Sequence, residues 1–358
     1  MTPEETGTDL ERRQAELRSS TLQQFRRAGS DPVTQALLRA VLEYRLEEAG
    51  SSGTKAGTLV SATAPGPSSS EESGNGASDA SLAALTLQSV LADMGQLPAL
   101  PEVVIDLIAY LERPDVEANQ VAHKMARDPA LCAKILRIAN SSYYGLQGQV
   151  ETIRDAFAVL GLRAVRTLVA GAAVANHLQA LAGRQQRAFW VHSAGTALCS
   201  RALARQVGAN PEVAFTAGLL HDLGRLILVA RFANEYHGVV AYRIAHDGYM
   251  IDAERRVLGF DHAQVGAALA QIWKFSAETV AAITGHHAPE GQPAQALAGL
   301  IHVADVMAHA LGFNGNEEDL MPRLSSFAWN RLNLGWDDFR RLLAEVDAQR
   351  NDAEWVLN

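Results

Sequence analysis

Residues 213–232 read VAFTAGLLHDLGRLILVARF, a run that is apolar apart from one threonine, two arginines and the pair His221-Asp222. This composition predicts a helical stretch that is buried in the protein. A buried carboxylate beside an imidazole is costly unless it is paired, fully hydrogen-bonded or bound to a metal ion. Some other group must therefore compensate Asp222.

Five further groups that could meet this pair lie elsewhere in the chain: His192, His262, His286, His287 and Asp305. A neutral imidazole nitrogen and a carboxylate oxygen are both good metal ligands, and one carboxylate can bridge two ions. We predict that these groups meet in a water-poor pocket inside a helical bundle. There they either neutralise one another or share a cation.

The composition of the whole chain favours helices. Ala and Leu are abundant among its 358 residues and runs of β-branched residues are few, so the predicted fold class is an all-α helical bundle. The net charge of −9 argues against a general nucleic-acid-binding surface, and DNA is not an expected partner. Proteins or small molecules are the expected partners.

Two features bear on where the protein works. Cys132 and Cys199 both lie in apolar helical patterns and imply no disulfide framework, which fits a reducing cytoplasm. The N-terminal residues lack a basic start followed by an apolar core, and no uninterrupted apolar run is long enough to cross a membrane. The sequence therefore predicts a cytoplasmic protein without a secretion signal or a membrane span.

The composition also divides the chain into four segments. Residues 1–49 are charged, and their narrow apolar faces predict two amphipathic helices broken near residues 29–32. These helices either dock on the main domain or on another chain, or they form a marginal or partly disordered arm. Residues 50–81 are rich in Ser, Gly and Pro and predict a flexible linker. Residues 82–312 predict the main helical domain, and residues 313–358 predict a C-terminal helical extension.

Short turns separate the helices predicted after the linker. These helices cover residues 100–111, 116–127, 129–140, 153–160, 162–178, 189–207, 211–232, 241–258, 262–273, 277–287, 297–311, 321–332 and 336–356. The turn at Gly161 could indicate a DNA-reading helix-turn-helix. The helix that follows it is apolar over most of its surface, however, and is predicted to lie in the core.

The order of the candidate groups resembles the HD superfamily of metal-dependent phosphohydrolases, with one His, the His-Asp pair, later His residues and a final Asp. Several blocks are similar to one branch, the HDOD family of output domains in bacterial signalling proteins, and together cover roughly residues 88–312. These blocks are LPALPEVVIDL, DPALCAKILRIANSSYYG, TIRDAFAVLGLRAVRTLV, FWVHSAGTA, AFTAGLLHDLGRLIL, FDHAQVGAALAQIW, ITGHH and IHVAD. All occur in the order typical of that family.

The resemblance implies an all-α HDOD domain in a bacterial signalling or regulatory protein. Most members of the family have no established catalytic activity, so the expected role is a non-catalytic output or protein-interaction module. Its expected partners are other signalling proteins, and no membrane partner is expected. The alternative is a metal-dependent phosphohydrolase that acts on a nucleotide or a cyclic dinucleotide.

For the phosphohydrolase alternative, the resemblance implies one or two divalent ions of Fe, Mn, Mg or Zn. The ligands expected for the first ion are His192, His221, Asp222 and Asp305. Those expected for a second ion are His262 and one of His286 and His287. If the protein is enzymatic, the expected catalytic residues are Asp222 and Arg225.

The chain departs from one catalytic group of relatives, the HD-GYP cyclic-di-GMP phosphodiesterases. Ala188 stands where that group has a Glu one turn before the first His, and Arg225 stands where it has a Lys. Residues 286–293 read HHAPEGQP and lack the Gly-Tyr-Pro motif. These departures weaken the substrate site but leave the candidate metal ligands in place.

Several candidates also have local explanations that need no metal ion. His221 and Asp222 could be a hydrogen-bonded pair, and Asp305 could pair with His302 or His309, each about one turn away. Arg225 could neutralise Asp222 instead of contacting a phosphate.

The remaining histidines have local explanations as well. His192 could be satisfied by a backbone carbonyl. His262 follows Asp261, a good N-cap residue, and could be exposed. His286 and His287 are adjacent on a predicted helix and point about 100° apart, so at most one is expected to face the site.

Overall fold

The computed structural model describes residues 3–51, 85–94, 152–161, 187–273, 275–290, 296–313 and 320–350, together with isolated positions between 117 and 165. These residues form helices joined by turns, and no strand occurs among them, which confirms the predicted all-α fold class. Several predicted segments lie wholly or largely outside the described residues: the linker at 50–81 and the helices at 100–111, 116–127, 129–140 and 162–178.

The labelled helices follow the order of the chain. They are α1 (Pro3–Gln24), α2 (Pro32–Ser51), α3 (Leu87–Met94), α4 (Arg187–Gln206), α5 (Pro211–Leu220), α6 (Leu223–Arg231), α7 (Ala233–His246), α8 (Met250–Val257), α9 (His262–Ile272), α10 (Ala277–Gly285), α11 (Ala296–Ala310), α12 (Ser326–Leu332) and α13 (Trp336–Asp347). Residues 153–161 are helical as well.

The centre of the fold is a set of helices packed around α4 and α11. α4 contacts α5, α11 and α13, and α11 contacts α5, α10 and α12. Every side chain from Leu297 to Ala308 of α11 is buried, as expected for a helix that is apolar on all sides. The candidate site lies where these two helices approach the ends of α5, α9 and α10.

The helix predicted at 211–232 is interrupted at the His-Asp pair, which corrects the sequence analysis. α5 ends at Leu220 and α6 begins at Leu223, while Asp222 has a backbone φ of −96° and ψ of 10°. Consecutive residues of an unbroken helix point about 100° apart. Because the helix breaks, both side chains of the pair enter one pocket, with His221 Nε2 3.6 Å from Asp222 Oδ1.

Among the described residues, Pro211–Arg231 is the one stretch with the length and hydropathy of a membrane-spanning helix. Of its most apolar window, 78% is buried inside the protein. Burial of this kind is typical of a core segment, so the stretch gives only weak evidence for a membrane span.

A second predicted helix is also interrupted. The helix predicted at 241–258 is replaced by α7 and α8, because Asp247 adopts the left-handed conformation with φ 46° and Gly248 follows it. An Asp-Gly pair is a turn signal. The sequence analysis missed it because the hydrophobic pattern continues on both sides of the turn.

Three predicted helix ends are displaced. The helix predicted at 321–332 begins only after Ser325, whose side chain accepts from a backbone N–H of the first turn of α12. α10 ends at Gly285 rather than at 287. α13 ends at Asp347, within the helix predicted at 336–356.

The N-terminal arm, formed by α1 and α2, docks on the main domain. Leu37 and Val41 of α2 are fully buried. Arg45 donates from Nε and Nη2 to the carbonyl oxygen of Ala310 at the end of α11, at 3.1 and 2.9 Å. α2 also packs on α13. The structure therefore shows the arm docked on the main domain, which is one of the alternatives left by the sequence.

Two arginines after α1 hold the turn between α7 and α8. Arg26 donates from Nε and Nη2 to Asp247, at 3.1 and 2.6 Å, and Arg27 Nη2 donates to the carbonyl oxygen of His246 at 3.2 Å. Replacing both arginines with alanine is expected to speed hydrogen exchange in residues 247–252, as measured by mass spectrometry. Tm is expected to fall by less than about 3 °C, because exposed ion pairs contribute little to stability.

Arg12→Ala is the control for this variant. Arg12 lies on the same arm, and its Nε is 3.9 Å from Glu16 one turn along α1. Its loss is expected to leave exchange in the α7–α8 turn at the wild-type rate. Equal exchange in wild type and in the double variant would show that the arm does not hold this turn.

Candidate metal centre

The structure brings all seven predicted site residues together. His192 lies in α4, and His221 and Asp222 form the α5–α6 junction. His262 begins α9, His286 and His287 follow the end of α10, and Asp305 lies in α11. All are buried except His287, which is half-buried.

The His192 cluster consists of His192, His221, Asp222 and Asp305. His192 Nε2 lies 3.3 Å from His221 Nε2 and 3.2 Å from Asp305 Oδ1. His221 Nε2 lies 3.6 Å from Asp222 Oδ1 and 3.9 Å from Asp305 Oδ1. One nitrogen or oxygen atom of each residue therefore faces the same small region.

The His262 cluster consists of Asp222, His262, His286 and His287. Asp222 Oδ1 lies 3.0 Å from His262 Nε2 and 3.5 Å from His286 Nε2. His287 Nε2 lies 2.9 Å from His262 Nε2. Asp222 belongs to both clusters and faces both with the same oxygen, so it is the ligand that two ions would share if both clusters held metal.

Backbone carbonyls fix the protons of two imidazoles. His221 Nδ1 lies 2.7 Å from the carbonyl oxygen of Gly218, and His286 Nδ1 lies 2.7 Å from that of Ile283. A carbonyl oxygen only accepts, so each Nδ1 carries a proton and each neutral ring keeps a lone pair on Nε2. Both Nε2 atoms face Asp222 Oδ1, at 3.6 and 3.5 Å, and the neutral His221 ring meets this oxygen as acceptor against acceptor.

These contacts between acceptors fit a cation. Two ligand atoms that each lie about 2.1 Å from one ion are about 3.0–3.4 Å apart in octahedral or tetrahedral geometry, close to the separations in both clusters. Imidazole nitrogens of His192 and His309 lie 3.2 Å from Asp305 Oδ1, but neither this oxygen nor His286 Nε2 forms a hydrogen bond of good geometry among the described residues. The buried His and Asp groups could therefore hold one or two metal ions.

Burial and neighbouring charges set the ionisation of the ligands. Burial alone would raise the pKa of Asp222, but His221 and His262 outweigh it and hold that pKa well below its usual value. Burial lowers the pKa of His221 to about 4 and holds the pKa of His287 well below its usual value. The carboxylate is therefore ionised and these two imidazoles are neutral, as metal ligands must be.

His262 offers a second way to compensate Asp222. Burial lowers the pKa of His262, but the carboxylates of Glu254 and Asp222 outweigh burial and raise the pKa to about 10. Without a metal ion His262 is therefore an imidazolium between two carboxylates. A metal ion and this proton compete for the same nitrogen, Nε2.

Glu254 is a site residue that the sequence analysis missed. It is fully buried, and its Oε2 accepts from the backbone N–H and from Nδ1 of His262, at 2.9 and 2.6 Å. Its Oε1 accepts from the hydroxyl of Tyr236 at 2.8 Å. Glu254 lies in the run DAERR at 252–256, whose charges are typical of an exposed helix face, so the sequence carries no signal of its burial.

Asp305 has one of its two predicted local partners. His309 Nδ1 lies 3.2 Å from Asp305 Oδ1, and His309 is a further candidate ligand. Burial would raise the pKa of Asp305, but the imidazoles of His309 and His192 outweigh burial and hold that pKa well below its usual value. His302 was predicted wrongly, because its Nδ1 faces the carbonyl oxygen of His286 at 2.7 Å instead.

Two other expectations about histidines are wrong. His262 is buried at 2% exposure, although Asp261 caps α9 as predicted. His286 and His287 both face the His262 cluster, not one of them alone. The two residues follow the end of α10, so the helical angle between adjacent residues does not separate them.

A cavity of about 200 Å³ opens in front of both clusters. Besides cluster residues, its wall includes four arginines: Arg225, Arg243, Arg255 and Arg323. Arg225 Nη1 lies 3.6 Å from Asp222 Oδ2, the neutralising contact that the sequence allowed. Arg255 Nε donates to Asp261 Oδ2 at 2.8 Å. These two arginines are therefore compensated by acids of the protein itself.

The chain is similar in sequence to known proteins. The family model of the HDOD domain matches residues 97–289. An uncharacterised protein of Treponema pallidum is 25% identical over 206 residues, which are 56% of this chain and 40% of the relative. This chain thus spans about two fifths of the length of that curated relative.

Two solved structures resemble most of the chain. A provisionally named phosphohydrolase from Shewanella amazonensis is 28% identical, with a TM-score of 0.62 over 75% of this chain and 98% of its own. An HDOD domain protein with unknown function from Geobacter sulfurreducens is 25% identical, with a TM-score of 0.62 over 75% of this chain and 97% of its own. Because the HDOD model matches more than half of the chain and both structures share its helical fold, this protein belongs to the HDOD domain family.

Proposed function

We propose that this chain is a bacterial signal-transduction protein whose HDOD domain binds one or two divalent metal ions. In this proposal the domain passes a signal to other signalling proteins without turning over a substrate. Metal binding rests on the contacts at Asp222 Oδ1. The neutral His221 ring presents a lone pair to this oxygen, which also only accepts, and His286 Nε2 lies 3.5 Å from it without a hydrogen-bond partner among the described residues. A cation between these atoms satisfies all of them.

The donor set favours some metals over others. The His192 cluster offers two imidazoles and two carboxylates, and the His262 cluster offers three imidazoles and one carboxylate. Imidazole suits Zn and Fe and carboxylate suits Mn, whereas Mg prefers a shell of oxygen ligands alone. We therefore propose Fe, Mn or Zn rather than Mg. A bound ion would neutralise the buried carboxylates and, in a hydrolase, would polarise a phosphoester.

The cavity favours an output role over turnover. Its volume of about 200 Å³ is below the range of about 300–1,000 Å³ usual for small-molecule sites. Arg225, which could contact a phosphate, lies against Asp222. Together with the departures at Ala188 and in HHAPEGQP, these observations argue against a complete site for a cyclic dinucleotide.

A second candidate function is a metal-dependent phosphohydrolase that acts on a nucleotide. It is supported by the position of both clusters in the wall of a cavity, since structural metal sites are closed and catalytic ones keep an open position. The Shewanella relative carries the provisional name phosphohydrolase.

Elemental analysis of protein purified without a His tag tests metal binding. The expected content is about one to two ions per chain, and less than about a tenth of an ion would end the proposal. A panel of phosphodiesters and nucleotides with added Mn²⁺ then tests the output role, for which no turnover is expected. Metal-dependent turnover that Asp222→Asn abolishes would instead establish the second candidate.

A further inference from the structure

Glu254 holds His262 at two points. A single oxygen, Oε2, accepts from the backbone N–H of His262 at 2.9 Å and from the ring Nδ1 at 2.6 Å. His262 is the first residue of α9, where backbone N–H groups have no partner within the helix. The carboxylate therefore satisfies an otherwise unpaired donor and fixes the ring in the same interaction.

The direction of the fixed ring matters for the site. With Nδ1 held by Glu254, Nε2 of His262 lies 3.0 Å from Asp222 Oδ1 and 2.9 Å from His287 Nε2. Carboxylates that accept from the far nitrogen of a histidine ligand orient the ring and make it a stronger donor to the metal. Glu254 has the burial and the geometry of such a group.

Glu254 is itself held in place. Its second oxygen, Oε1, accepts from the Tyr236 hydroxyl of α7 at 2.8 Å, and its side chain is fully buried. Both oxygens therefore have fixed partners, and the side chain bridges α7 and the start of α9. Its hydrogen bonds within the described part of the chain are with His262 and Tyr236, neither of which belongs to the His192 cluster.

We propose that Glu254 is the positioning residue of the His262 cluster and that a second divalent ion binds there only while Glu254 orients His262. This inference rests on the proposed metal binding and extends it by separating the two clusters. The His192 cluster holds its ion without Glu254. The two sites therefore differ in their dependence on one buried carboxylate outside both.

Mn²⁺ titration of the full chain, followed by calorimetry and by electron paramagnetic resonance, tests the proposal. Wild type is expected to bind two ions whose spins are coupled through Asp222. Glu254→Ala is expected to weaken one site by about 100-fold and to leave a single uncoupled ion. Glu254→Gln can keep the hydrogen bonds to His262 but lacks the charge, so we expect a loss of about tenfold at the same site.

Tyr236→Phe is the matched control. It removes the hydroxyl that contacts Glu254 but leaves Glu254 on His262, so both Mn²⁺ sites are expected to stay within about threefold of wild type. A purely structural role of Glu254 would instead weaken both sites together, in proportion to the loss of thermal stability. Glu254→Gln keeps the test available if Glu254→Ala does not fold.

The possible results separate this inference from the proposed function. Wild type that binds no Mn²⁺ would overturn the proposed function and the inference with it. Wild type that binds one ion, or two ions that Glu254→Gln leaves at wild-type affinity and coupling, would overturn the inference alone. Selective loss of one ion in the Glu254 variants would support it.

Discussion

Asp222→Asn is expected to remove metal from both clusters. Asp222 Oδ1 lies 3.0 Å from His262 Nε2 and 3.6 Å from His221 Nε2, so each cluster uses the same oxygen. Asparagine keeps the size of the side chain but removes the charge that the ions require. Losing a group that only supports a ligand weakens metal binding about 10–100-fold, so losing this shared ligand should weaken it by more than about 100-fold.

Elemental analysis and thermal unfolding with added Mn²⁺ measure this effect. A ligand at 100 times its Kd stabilises a protein by about 2.7 kcal/mol, so Mn²⁺ is expected to raise the Tm of wild type but not that of Asp222→Asn. Asp252→Asn is the matched control, because Asp252 lines the same cavity but faces Arg323 at 3.6 Å, outside both clusters. An Asp222→Asn protein that still responds to Mn²⁺ like wild type would contradict the shared role.

The same variant also tests the metal-free alternative. If His262 is an imidazolium between Glu254 and Asp222, the substitution breaks a buried charge pair and costs about 3–5 kcal/mol of unfolding free energy. That loss of unfolding free energy does not depend on added metal. Under this metal-free alternative, Mn²⁺ does not raise the Tm of wild type. The response of wild type to the ion therefore distinguishes the two ways of compensating Asp222.

The sequence predicted that the seven site residues lie close together, because burying a charged group costs free energy unless a partner compensates it. His221, Asp222 and Asp305 lie in stretches too apolar to be exposed, and each needed a partner inside the protein. The all-α class followed from composition in the same way. Whether the groups bind metal stays a prediction, since a proton on His262 meets the same need.

Glu254 and the helix breaks could not be predicted, for physical reasons of another kind. The run DAERR has the composition of an exposed face, and Glu254 is buried where α8 packs against α7 and meets the start of α9. The break at Asp222 leaves the apolar pattern of residues 211–232 unchanged, because side chains on both sides of it stay buried. Hydrophobic periodicity reports burial and does not record where the backbone turns.

Gly224→Ala is expected to destabilise the whole domain. Gly224 lies in the first turn of α6, where α6 crosses the start of α9. A Cβ at this position would overlap the carbonyl oxygen of His262 and lie 2.5 Å from the backbone nitrogen of Gly266. Backbone atoms cannot rotate away as a side chain can, so the two helices must separate. We expect the free energy of unfolding to fall by about 3 kcal/mol, in the upper range for overpacked cores.

Chemical denaturation of wild type, Gly224→Ala and Gly238→Ala measures this cost. Gly238 is an exposed glycine within α7, and the nearest atom to a Cβ there is Val257 Cγ1 at 3.8 Å. Alanine at that position is expected to stabilise the helix by up to about 1 kcal/mol.

The separation of α6 from α9 also moves His262 away from Asp222, so Gly224→Ala should weaken Mn²⁺ binding at the His262 cluster. Equal stability of the two alanine variants would show that α6 and α9 are not in backbone contact at Gly224. The close approach of His262 to Asp222 could then not be explained by this helix contact.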